Sequence, residues 1–549
     1  MKTIVEIFSE ATEKFKDRVG IQMVSDGEKE AIFYAQIRLK VEKIIWRLKN
    51  WGIEKGTPIG ILSENRPEWV YAYFAILSAG GVVVGIDINL KPQEILFILQ
   101  HAEIKIIFVS KNNLPIISEM DKSSLLEKII CFDDGEGDGI CRLSDILKED
   151  FAFLPSTEVS VDDLAMLVYT SGTTGNPKAV MLSHRNITSN IKMIRKIFQW
   201  DWRDNFLSLL PLSHMFELTC GLLAPFSSGA KITYISSLRP DYILDTMKDE
   251  KVTFVMVVPG ILRLIRMEIL KHIKQISLKK KLIFYLCFGI CAVFRLFNLN
   301  LGKIMFKKIH ERFGRSLKFF VSGGAPLSPF IIWWFDVLGI TILQGYGLTE
   351  ASPVISVNTP LENRIGSVGK PLPGIEVRIE NDFATGEVLV RGENVMLGYY
   401  KNTQESKSAL RDNWLYTGDI GRIDSHGFLY ILGREKNVIV LESGLKVYPE
   451  ELEEELLKKP AIREVCVIGK REFGYPEEKV YALIVPHEEY LGLTLDKDLD
   501  KIREFLEKEV KALNERLAAY KHIRGFEIRK DLPKTATRKI KKELVKNTL

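Results

Sequence analysis

The chain has 549 residues, which is more than one hydrophobic core usually spans, so at least two domains are expected. An apolar fraction of 46% and a charged fraction of 27% are typical of a globular protein and exclude long disordered stretches. The net charge is only +5, with acidic and basic residues interleaved, and this pattern does not indicate a nucleic-acid partner. The six cysteines form no C-x-x-C pair, so neither a zinc site nor a disulfide framework is predicted.

Helical and strand patterns alternate through most of the chain. Residues 33–109 show this alternation first, and it continues through 164–259 and 319–354. Alternation of this kind is typical of α/β layers with mostly parallel sheets. We therefore predict two doubly wound α/β subdomains in the N-terminal part of the protein.

The pattern of strand and turn residues changes towards the C-terminus. After Ile365 there are short strands separated by Gly and Pro turns, which predict a β-barrel-like subdomain. Past Gly433 a compact α/β tail begins, with a helix starting at Pro449. These patterns predict a large N-terminal domain, 1–433, and a small C-terminal α/β domain, 434–549.

One apolar stretch differs from the rest. Residues 282–294 are apolar except for Tyr285 and Gly289, with three lysines before them and Arg295 after them. The stretch is too short to cross a bilayer as a helix. Two interpretations stay open: a buried helix, or a helix in a membrane interface whose basic neighbours within 279–308 contact anionic head groups.

A polar loop lies between two apolar runs. Residues 169–178 are rich in Gly, Ser and Thr and end in a lysine, so backbone N–H groups, hydroxyls and one ammonium can bind a phosphate chain. This is not a Walker A loop, because two residues separate Gly175 from Lys178. The flanking runs predict a strand, a loop and a second strand, with a helix beginning only at Ser183 or His184. An ordinary polar hairpin would have the same composition.

Five motifs spread along the chain carry a resemblance to a known family. They are LVYTSGTTGNPKAVMLSHRN at 167–186, QGYGLTE at 344–350, YTGDIG at 416–421, GREK at 433–436 and PKTATRK at 533–539. Together they resemble the acyl-activating, AMP-forming (ANL) superfamily of acyl-CoA synthetases, luciferases and peptide-synthetase adenylation domains. The stretch PLSHMFELTCG at 211–221 looks most like the long-chain fatty acid:CoA ligase branch.

The resemblance implies a reaction in two steps. A fatty acid carboxylate attacks the α-phosphate of ATP to give an acyl-adenylate and pyrophosphate, and the thiol of coenzyme A then takes the acyl group. It implies Mg²⁺ as the cofactor. It also implies a mobile C-terminal domain that rotates between the two steps about a hinge near Lys436.

The resemblance assigns roles to residues of this sequence. Its implied catalytic residues are Lys539, Glu350 and His214, and its implied Mg²⁺ ligands are Thr174 and Glu350. Its implied nucleotide-binding residues are Thr170, Ser171, Gly172, Thr173, Thr174, Gly175, Lys178, Gly323, Gly324, Ala325, Gln344, Gly345, Tyr346, Gly347, Leu348, Thr349, Asp419, Ile431 and Arg434. Its implied hinge and coenzyme A residues are Lys436, Ser443, Gly444 and Lys446.

The chemistry of these side chains agrees with the implied roles. A carboxylate such as Glu350 is a ligand that Mg²⁺ prefers beside substrate phosphates, and Asp419 can accept hydrogen bonds from both ribose hydroxyls. Lys539 is implied to bridge the carboxylate and the α-phosphate, although Arg538 stands where the family pattern usually has Gly. An alternative interpretation therefore stays open for each residue. Lys539 would be part of a basic tail without a catalytic role, and His214 would be a hydrogen-bonded histidine in a turn.

Three functions follow as hypotheses. The first is a long-chain fatty acid:CoA ligase, the second an acyl–acyl-carrier-protein ligase that uses the same adenylate, and the third a non-catalytic, membrane-associated fatty-acid carrier. The N-terminus enters an amphipathic pattern without the apolar core of a signal peptide, which predicts a cytoplasmic protein. The basic and apolar stretch would give it a peripheral contact with the inner face of the membrane.

Overall fold

The computed structural model describes residues 1–25, 27–120, 125–135, 139–152, 157–170, 177–297, 299–380, 384–441, 445–471, 478–534 and 540–546. The chain forms two compact units. The first contains Met1–Gly324, Ile331–Glu376 and Val390–Leu415. The second contains Ala325–Phe330, Val377–Leu389 and Tyr416–Leu549. The predicted boundary at 433 stays a prediction.

An eight-stranded sheet forms one layer of the first unit. Its strands, in the order β19-β9-β8-β4-β3-β5-β6-β7, are β3 (Pro58–Leu62), β4 (Val82–Ile86), β5 (Ile106–Val109), β6 (Lys128–Cys131), β7 (Ile140–Arg142), β8 (Leu164–Thr170), β9 (Lys178–Ser183) and β19 (Gly398–Tyr399). The accompanying helices are α2 (Tyr34–Asn50), α3 (Pro67–Ser78), α4 (Pro92–His101), α5 (Leu114–Met120), α6 (Leu143–Lys148), α7 (His184–Ile197) and α15 (Thr403–Ala409). Strands β3 to β6 are parallel and nearly continuous in apolar residues, as expected for strands covered on both faces.

The predicted polar loop joins two antiparallel strands. Strand β8 pairs with β9 so that Thr170 lies opposite Lys178. Helix α7 begins at His184 with Ser183 as its N-cap, whose hydroxyl accepts a hydrogen bond from the N–H of Asn186 at 3.2 Å. The two predicted strands and the late start of the helix are therefore confirmed.

A nine-stranded sheet forms the other layer of the first unit. Its strands, in the order β16-β15-β14-β13-β12-β10-β11-β1-β2, are β1 (Val19–Ser25), β2 (Glu28–Phe33), β10 (Asn205–Leu207), β11 (Lys231–Ile235), β12 (Phe254–Val257), β13 (Phe319–Ser322), β14 (Ile342–Gly347), β15 (Val354–Val357) and β16 (Lys370–Pro371). The helices of this region are α1 (Ile4–Lys14), a π-helix (Glu217–Leu223), α8 (Ala224–Phe226), α9 (Pro240–Asp249), α10 (Pro259–Gln275), α11 (Leu278–Leu296), α12 (Gly302–Met305), α13 (Lys307–Arg312) and α14 (Pro329–Val337).

Helix α11 contains the apolar stretch and lies on the surface. Cys291 is its only buried residue, and Phe284 and Phe288 on the same face pack against Phe306 and Trp333. The other face leaves large apolar side chains exposed; they are Leu278, Leu282, Ile283, Tyr285, Leu286, Ile290, Val293, Phe294 and Leu296. The interpretation as a buried helix is therefore wrong. None of the helices in the described ranges is long and apolar enough to cross a membrane.

The C-terminal half is built from smaller sheets. One five-stranded sheet contains β17 (Glu376–Ile379), β18 (Gly386–Arg391), β20 (Leu410–Arg411), β21 (Trp414–Ile423) and β22 (Leu429–Arg434). The remaining strands are β23 (Ile439–Val440), β24 (Lys446–Val447), β25 (Ile462–Arg471), β26 (Glu478–Pro486) and β27 (Gly525–Ile528). The remaining helices are α16 (Pro449–Leu457), α17 (Glu488–Leu491), α18 (Leu499–Asn514) and α19 (Lys542–Lys546). The helix predicted from Pro449 is confirmed.

The second unit has a hydrophobic core of its own. Strands β25 and β26 are antiparallel, and helix α18 packs its apolar stripe, which includes Ile502, Leu506 and Val510, into the same cluster. A smaller cluster on the other face of β25 contains Leu532 and Val545. Alternating residues of the sheet thus fill both clusters, as the period of a strand requires.

Candidate active site

The base of the predicted phosphate loop carries a fixed lysine. Nζ of Lys178 lies 2.8 Å from Oε2 of Glu405 and 5.6 Å from the centroid of the Tyr399 ring. Tyr399 reaches this position because the short strand β19 pairs with β9, with Tyr399 opposite Val180. The predicted loop residues Ser171, Gly172, Thr173, Thr174 and Gly175 lie outside the described residues.

Glu350 lies in the same constellation. It belongs to the single 3₁₀ turn Thr349–Ala351 that follows β14, and its backbone carbonyl accepts a hydrogen bond from the N–H of Met396 at 2.8 Å. The hydroxyl of Tyr399 donates to its Oε1 at 2.9 Å. Tyr399 therefore connects the predicted metal ligand Glu350 with the predicted phosphate ligand Lys178.

Tyr399 and Glu405 were missed by the sequence reasoning. Both follow a glycine-containing turn far along the chain, and no motif points to them. The contacts arise from pairing between β9 and β19, which are distant in sequence. The dipeptide Tyr399–Tyr400 after Gly398 was the only local signal, because paired aromatic residues favour a strand.

Glu350 fits the donor set of a magnesium site. Within the described ranges, no group of three or more His, Cys, Asp and Glu side chains could hold a metal ion by itself. Mg²⁺ in nucleotide-binding enzymes binds one or two carboxylates and completes its shell with phosphate oxygens and water. Glu350 is half-buried and has one oxygen fixed by Tyr399, so it suits this role. The other predicted ligand, Thr174, lies outside the described residues.

The predicted adenine-binding stretches lie on adjacent strands. Ser322 at the end of β13 pairs in register with Gln344 in β14, and Gly323 and Gly324 follow directly. Oγ of Ser322 and Oε1 of Gln344 are buried and have no hydrogen-bond partner in the part of the chain that the structure describes. Since an unpaired buried polar atom costs about 1–3 kcal/mol, a ligand that hydrogen-bonds there would remove that cost. Ala325 is the next residue along the chain.

Gly347 makes a close approach of two backbone strands possible. It ends β14 opposite Val354 in β15, and a Cβ at this position would lie 1.8 Å from the carbonyl oxygen of Pro353. Any side chain would push the strands apart. Gly345 and Tyr346 precede it in the same strand, and Leu348 and Thr349 lead into the turn with Glu350.

His214 has a buried carboxylate as its partner. Its Nε2 lies 2.7 Å from Oδ2 of Asp87, which follows strand β4 directly. Oδ1 of Asp87 accepts two hydrogen bonds at 2.8 Å, from the N–H and the side-chain amide of Asn89. Burial raises the pKa of Asp87, but the bonds from His214 and Asn89 outweigh burial and hold the pKa below its ordinary value.

Asp87 was also missed by the sequence reasoning. A carboxylate directly after a buried apolar strand was the available signal, since such a residue ends at the carboxyl edge of the sheet. The strand β4 meets the segment before His214 closely, because a Cβ on Gly85 would lie 3.2 Å from the Cα of Ser213. This contact brings Asp87 and His214 together.

A buried carboxyl lies one turn beyond His214. Glu217 is fully buried at the start of the π-helix, and a Cβ on Gly221 would lie 2.3 Å from its Oε1. Burial raises the pKa of Glu217 to about 8, with weaker opposing contributions from Ser208 and the backbone at Leu210. The Glu217 side chain is thus largely a neutral acid at pH 7.

The predicted ribose-binding residues lie next to each other in the second unit. Asp419 in β21 pairs in register with Arg434 in β22, and Nε of Arg434 lies 3.0 Å from Oδ1 of Asp419. The hydroxyl of Thr417 accepts a hydrogen bond from the N–H of Asp419 at 3.1 Å. Ile431 lies opposite Gly421 on the same pair of strands.

The predicted hinge and coenzyme A residues are only partly described. Nζ of Lys436 lies 3.3 Å from Oε1 of Glu543, and Lys446 pairs in register with Val440 on a short antiparallel ladder. Ser443 and Gly444 lie outside the described residues, as does the predicted catalytic lysine, Lys539.

Two family models match this chain. Residues 8–400 match the family model of AMP-binding enzymes, and residues 451–539 match the model of the AMP-binding enzyme C-terminal domain. The chain belongs to the AMP-binding enzyme family. This confirms the resemblance drawn from the five motifs, and with it the expected fold of a large and a small α/β domain.

Several relatives of this AMP-binding enzyme match it over most of its length. Fatty acyl-CoA synthetase A of Dictyostelium discoideum is 30% identical, over 96% of this chain and 84% of the relative. A long-chain-fatty-acid–CoA ligase of Bacillus subtilis is 28% identical, over 98% and 93%. The chloroplastic long-chain-fatty-acid–[acyl-carrier-protein] ligase AEE15 of Arabidopsis thaliana is 28% identical, over 89% and 77%. Among solved structures, ATP-bound MatB of Rhodopseudomonas palustris matches with a TM-score of 0.79 and 25% identity, over 99% and 98%.

Proposed function

We propose that this AMP-binding enzyme is a long-chain fatty acid:CoA ligase that forms acyl-CoA, AMP and pyrophosphate. The observation that carries the proposal is the match to relatives named fatty acyl-CoA synthetase and long-chain-fatty-acid–CoA ligase, over 96% and 98% of this chain and 84% and 93% of the relatives. ATP, a fatty acid and coenzyme A are the proposed substrates.

The first step forms the acyl-adenylate. A carboxylate oxygen of the fatty acid attacks the α-phosphorus of ATP, a new P–O bond forms, and the bond to pyrophosphate breaks. Because anions are brought together, the step needs cations and oriented dipoles. We assign the β- and γ-phosphates to the loop 171–175 with Thr170 and Lys178, and the α-phosphate to Lys539. Glu350 and Thr174 would hold Mg²⁺, which neutralises phosphate charge when bound.

The nucleoside is assigned to two sets of residues. Asp419, with Arg434 and Ile431 beside it, would bind the ribose hydroxyls. Residues 323–325 and 344–349 would bind the adenine. The unpartnered oxygens of Ser322 and Gln344 support this assignment, since the exocyclic amino group of adenine can donate a hydrogen bond to either.

The second step transfers the acyl group. The thiol of coenzyme A forms a C–S bond with the carbonyl carbon, its proton leaves, and the C–O bond to AMP breaks. We assign the pantetheine path to Ser443, Gly444 and Lys446 and the hinge to Lys436. His214, oriented by Asp87, is assigned to the acyl end of the site.

Separate assays of the two half-reactions test the assignment. We expect fatty-acid-dependent ATP–pyrophosphate exchange, and we expect Lys539→Ala to abolish it while thiol transfer from preformed acyl-adenylate continues. Exchange that survives Lys539→Ala would disprove the role of this lysine. A complete lack of exchange in the unmodified protein would favour the non-catalytic carrier.

One relative supports acyl carrier protein as an alternative acceptor of the acyl group. The Arabidopsis protein is named for transfer to acyl carrier protein, and its match covers 89% of this chain. Two incubations with ATP and palmitate distinguish the two ligase activities. One contains coenzyme A as the only thiol, and the other contains holo-acyl-carrier protein. Formation of acylated carrier without acyl-CoA would replace the first proposal with the second.

We also propose that helix α11 makes the enzyme a peripheral protein of the inner membrane face. Leu282 and Leu286 are 72% and 63% exposed on its outer face. Exposed lysines precede and follow the patch in the sequence; they are Lys279, Lys280, Lys303, Lys307 and Lys308. An apolar face with a basic rim is complementary to anionic lipid, and each basic residue near such a surface contributes about 1 kcal/mol.

Vesicle binding tests the membrane contact. Leu282→Glu/Leu286→Glu should abolish sedimentation with vesicles of phosphatidylglycerol and phosphatidylcholine, and pure phosphatidylcholine should bind the unmodified protein more weakly. Leu361→Glu is the matched control, because Leu361 is 96% exposed and lies elsewhere on the first unit. Equal sedimentation of both variants, or a dimer in gel filtration that the double variant dissociates, would contradict the lipid contact.

A further inference from the structure

The second unit contains a buried ionic cluster that the proposed reaction does not use. Nζ of Lys542 lies 3.0 Å from Oε1 of Glu450 and 2.8 Å from Oε1 of Glu453, and all three side chains are only 15% exposed. The N–H of Val467 donates to Oε1 of Glu453 at 2.7 Å. Burial lowers the pKa of Lys542, but the two carboxylates outweigh burial and raise it above its ordinary value. The lysine is therefore a firmly held cation.

The same cluster holds the predicted hinge segment. The side-chain amide of Asn437 donates to Oε1 of Glu450 at 2.8 Å, and this is the carboxylate oxygen that also contacts Lys542. Next to it, Lys436 forms its ion pair with Glu543. Gly433 lies against the same glutamate, because a Cβ there would lie 2.6 Å from Oε2 of Glu450. Residues 433–437 are thus joined to the first two residues of helix α19.

Helix α19 begins just after the segment that carries Lys539. Lys534 and Ile540 form an antiparallel bridge, and the N–H of Lys541 donates to the carbonyl of Pro533 at 2.8 Å. Lys534 is itself held by Glu464 at 2.9 Å and by Asp531 at 2.7 Å. The two ends that flank 535–539 are therefore fixed to each other and to the unit, and Lys542 is three residues beyond Lys539.

We infer that Lys542 is a positioning residue for the adenylation step. Its contacts with Glu450 and Glu453 join the start of α19 to the hinge segment, and Lys539 precedes this start by three residues in the sequence. The inference rests on the proposed function, in which Lys539 acts at the α-phosphate. A cation that must reach one phosphate requires placement within about 0.5 Å, and a displacement of about 1 Å can cost about a hundredfold in rate.

The two half-reactions test this inference. Lys542→Met should lower fatty-acid-dependent ATP–pyrophosphate exchange at saturating substrates by about tenfold to a hundredfold. Thiol transfer from preformed acyl-adenylate should change by less than about threefold, because Lys539 has no part in it. Lys542→Arg keeps the charge and should restore most of the exchange rate. Lys508→Met is the control, since Lys508 forms an exposed pair with Glu504 in the same unit.

Lys542→Met leaves the buried carboxylates of Glu450 and Glu453 without their cation, so a second variant tests the inference without this change in charge. Asn437→Ala removes the bond between the hinge segment and Glu450 without removing a charge, and it should lower exchange selectively by a smaller factor. An equal loss in both half-reactions, or unchanged exchange in Lys542→Met and Asn437→Ala, would overturn the inference. Lys539→Ala measured in parallel separates the causes: if that variant loses exchange while Lys542→Met retains it, only the positioning role is wrong.

Discussion

The contact between Asp87 and His214 gives the acyl end of the site a defined orientation. A carboxylate that accepts from Nε2 fixes the ring and leaves Nδ1 as the other hydrogen-bonding atom. Asp87 is itself held by two bonds from Asn89, so the pair is rigid before any substrate binds. A residue directly after one strand thus orients a histidine ring on a distant turn.

We predict that Asp87→Asn lowers kcat/KM for palmitate about tenfold, which corresponds to about 1.4 kcal/mol of transition-state stabilisation. The reason is loss of the charged acceptor that orients His214. The effect should disappear in a His214→Ala background, which kinetic analysis of the double variant measures. Asp162→Asn, at an exposed pair with Arg185, should leave the kinetics unchanged. Additive losses in the double variant would contradict the coupling.

Glu217 makes the stability of the protein depend on pH. Its pKa is about 8 in the folded protein and has an ordinary value of 4.5, so between these values the folded state holds a proton that the unfolded state has lost. Stability therefore falls as pH rises through this window, by about 1.4 kcal/mol per pH unit for one group.

Glu217→Gln should remove this dependence. The variant should gain thermal stability relative to the parent protein as the pH rises from 5 to 8, and differential scanning fluorimetry across that range measures the gain. Near pH 5 the two proteins should have similar melting temperatures. A difference that stays constant with pH would show that the side chain does not titrate in this window.

At the scale of single elements, we predict that a Gly→Ala substitution has opposite effects on stability at two positions. Gly347→Ala places a methyl group against the carbonyl of Pro353 and should destabilise the end of β14, with loss of exchange activity. A methyl group on Gly289 in helix α11 would meet no atom within 4 Å, so Gly289→Ala should stabilise the protein by about 0.5–1 kcal/mol. Melting temperatures of the two variants would test both signs, and a stabilised Gly347→Ala would contradict the close approach.

Sequence patterns predict some elements well and others poorly, for physical reasons. Helix α7 was predictable because its start depends on Ser183, a local cap, and strands such as β4 because buried parallel strands are continuous in apolar residues. The contacts of Tyr399 and Asp87 were not predictable, because they join distant segments. The position of Tyr399 depends on the register between β19 and β9, and that of Asp87 on the close approach of β4 to the turn with His214. The surface position of α11 could not be decided from the sequence either, since composition alone does not distinguish a buried helix from an exposed one.

At the scale of the whole molecule, the predicted site residues are divided between two compact units. Glu350, Lys178 and His214 lie in the first unit, and Asp419 and Lys436 lie in the second. Each unit has its own core, so the local geometry of each set is maintained by its own packing. The motifs predicted the members of both sets, whereas the supporting contacts of Tyr399, Glu405 and Lys542 came only from the structure.

The proposed membrane contact of helix α11 has a kinetic consequence. An enzyme that rests on a bilayer meets its acyl substrate at a surface density, so the relevant variable is the mole fraction of fatty acid in the lipid rather than its bulk concentration. Adding phosphatidylglycerol vesicles that carry a constant mole fraction of fatty acid should therefore speed acyl-CoA formation by the parent protein until all of the enzyme is bound. Leu282→Glu/Leu286→Glu should keep a constant rate in the same series, because the concentration of fatty acid dissolved in water is then constant as well, and a steady-state assay across lipid concentrations would measure the difference.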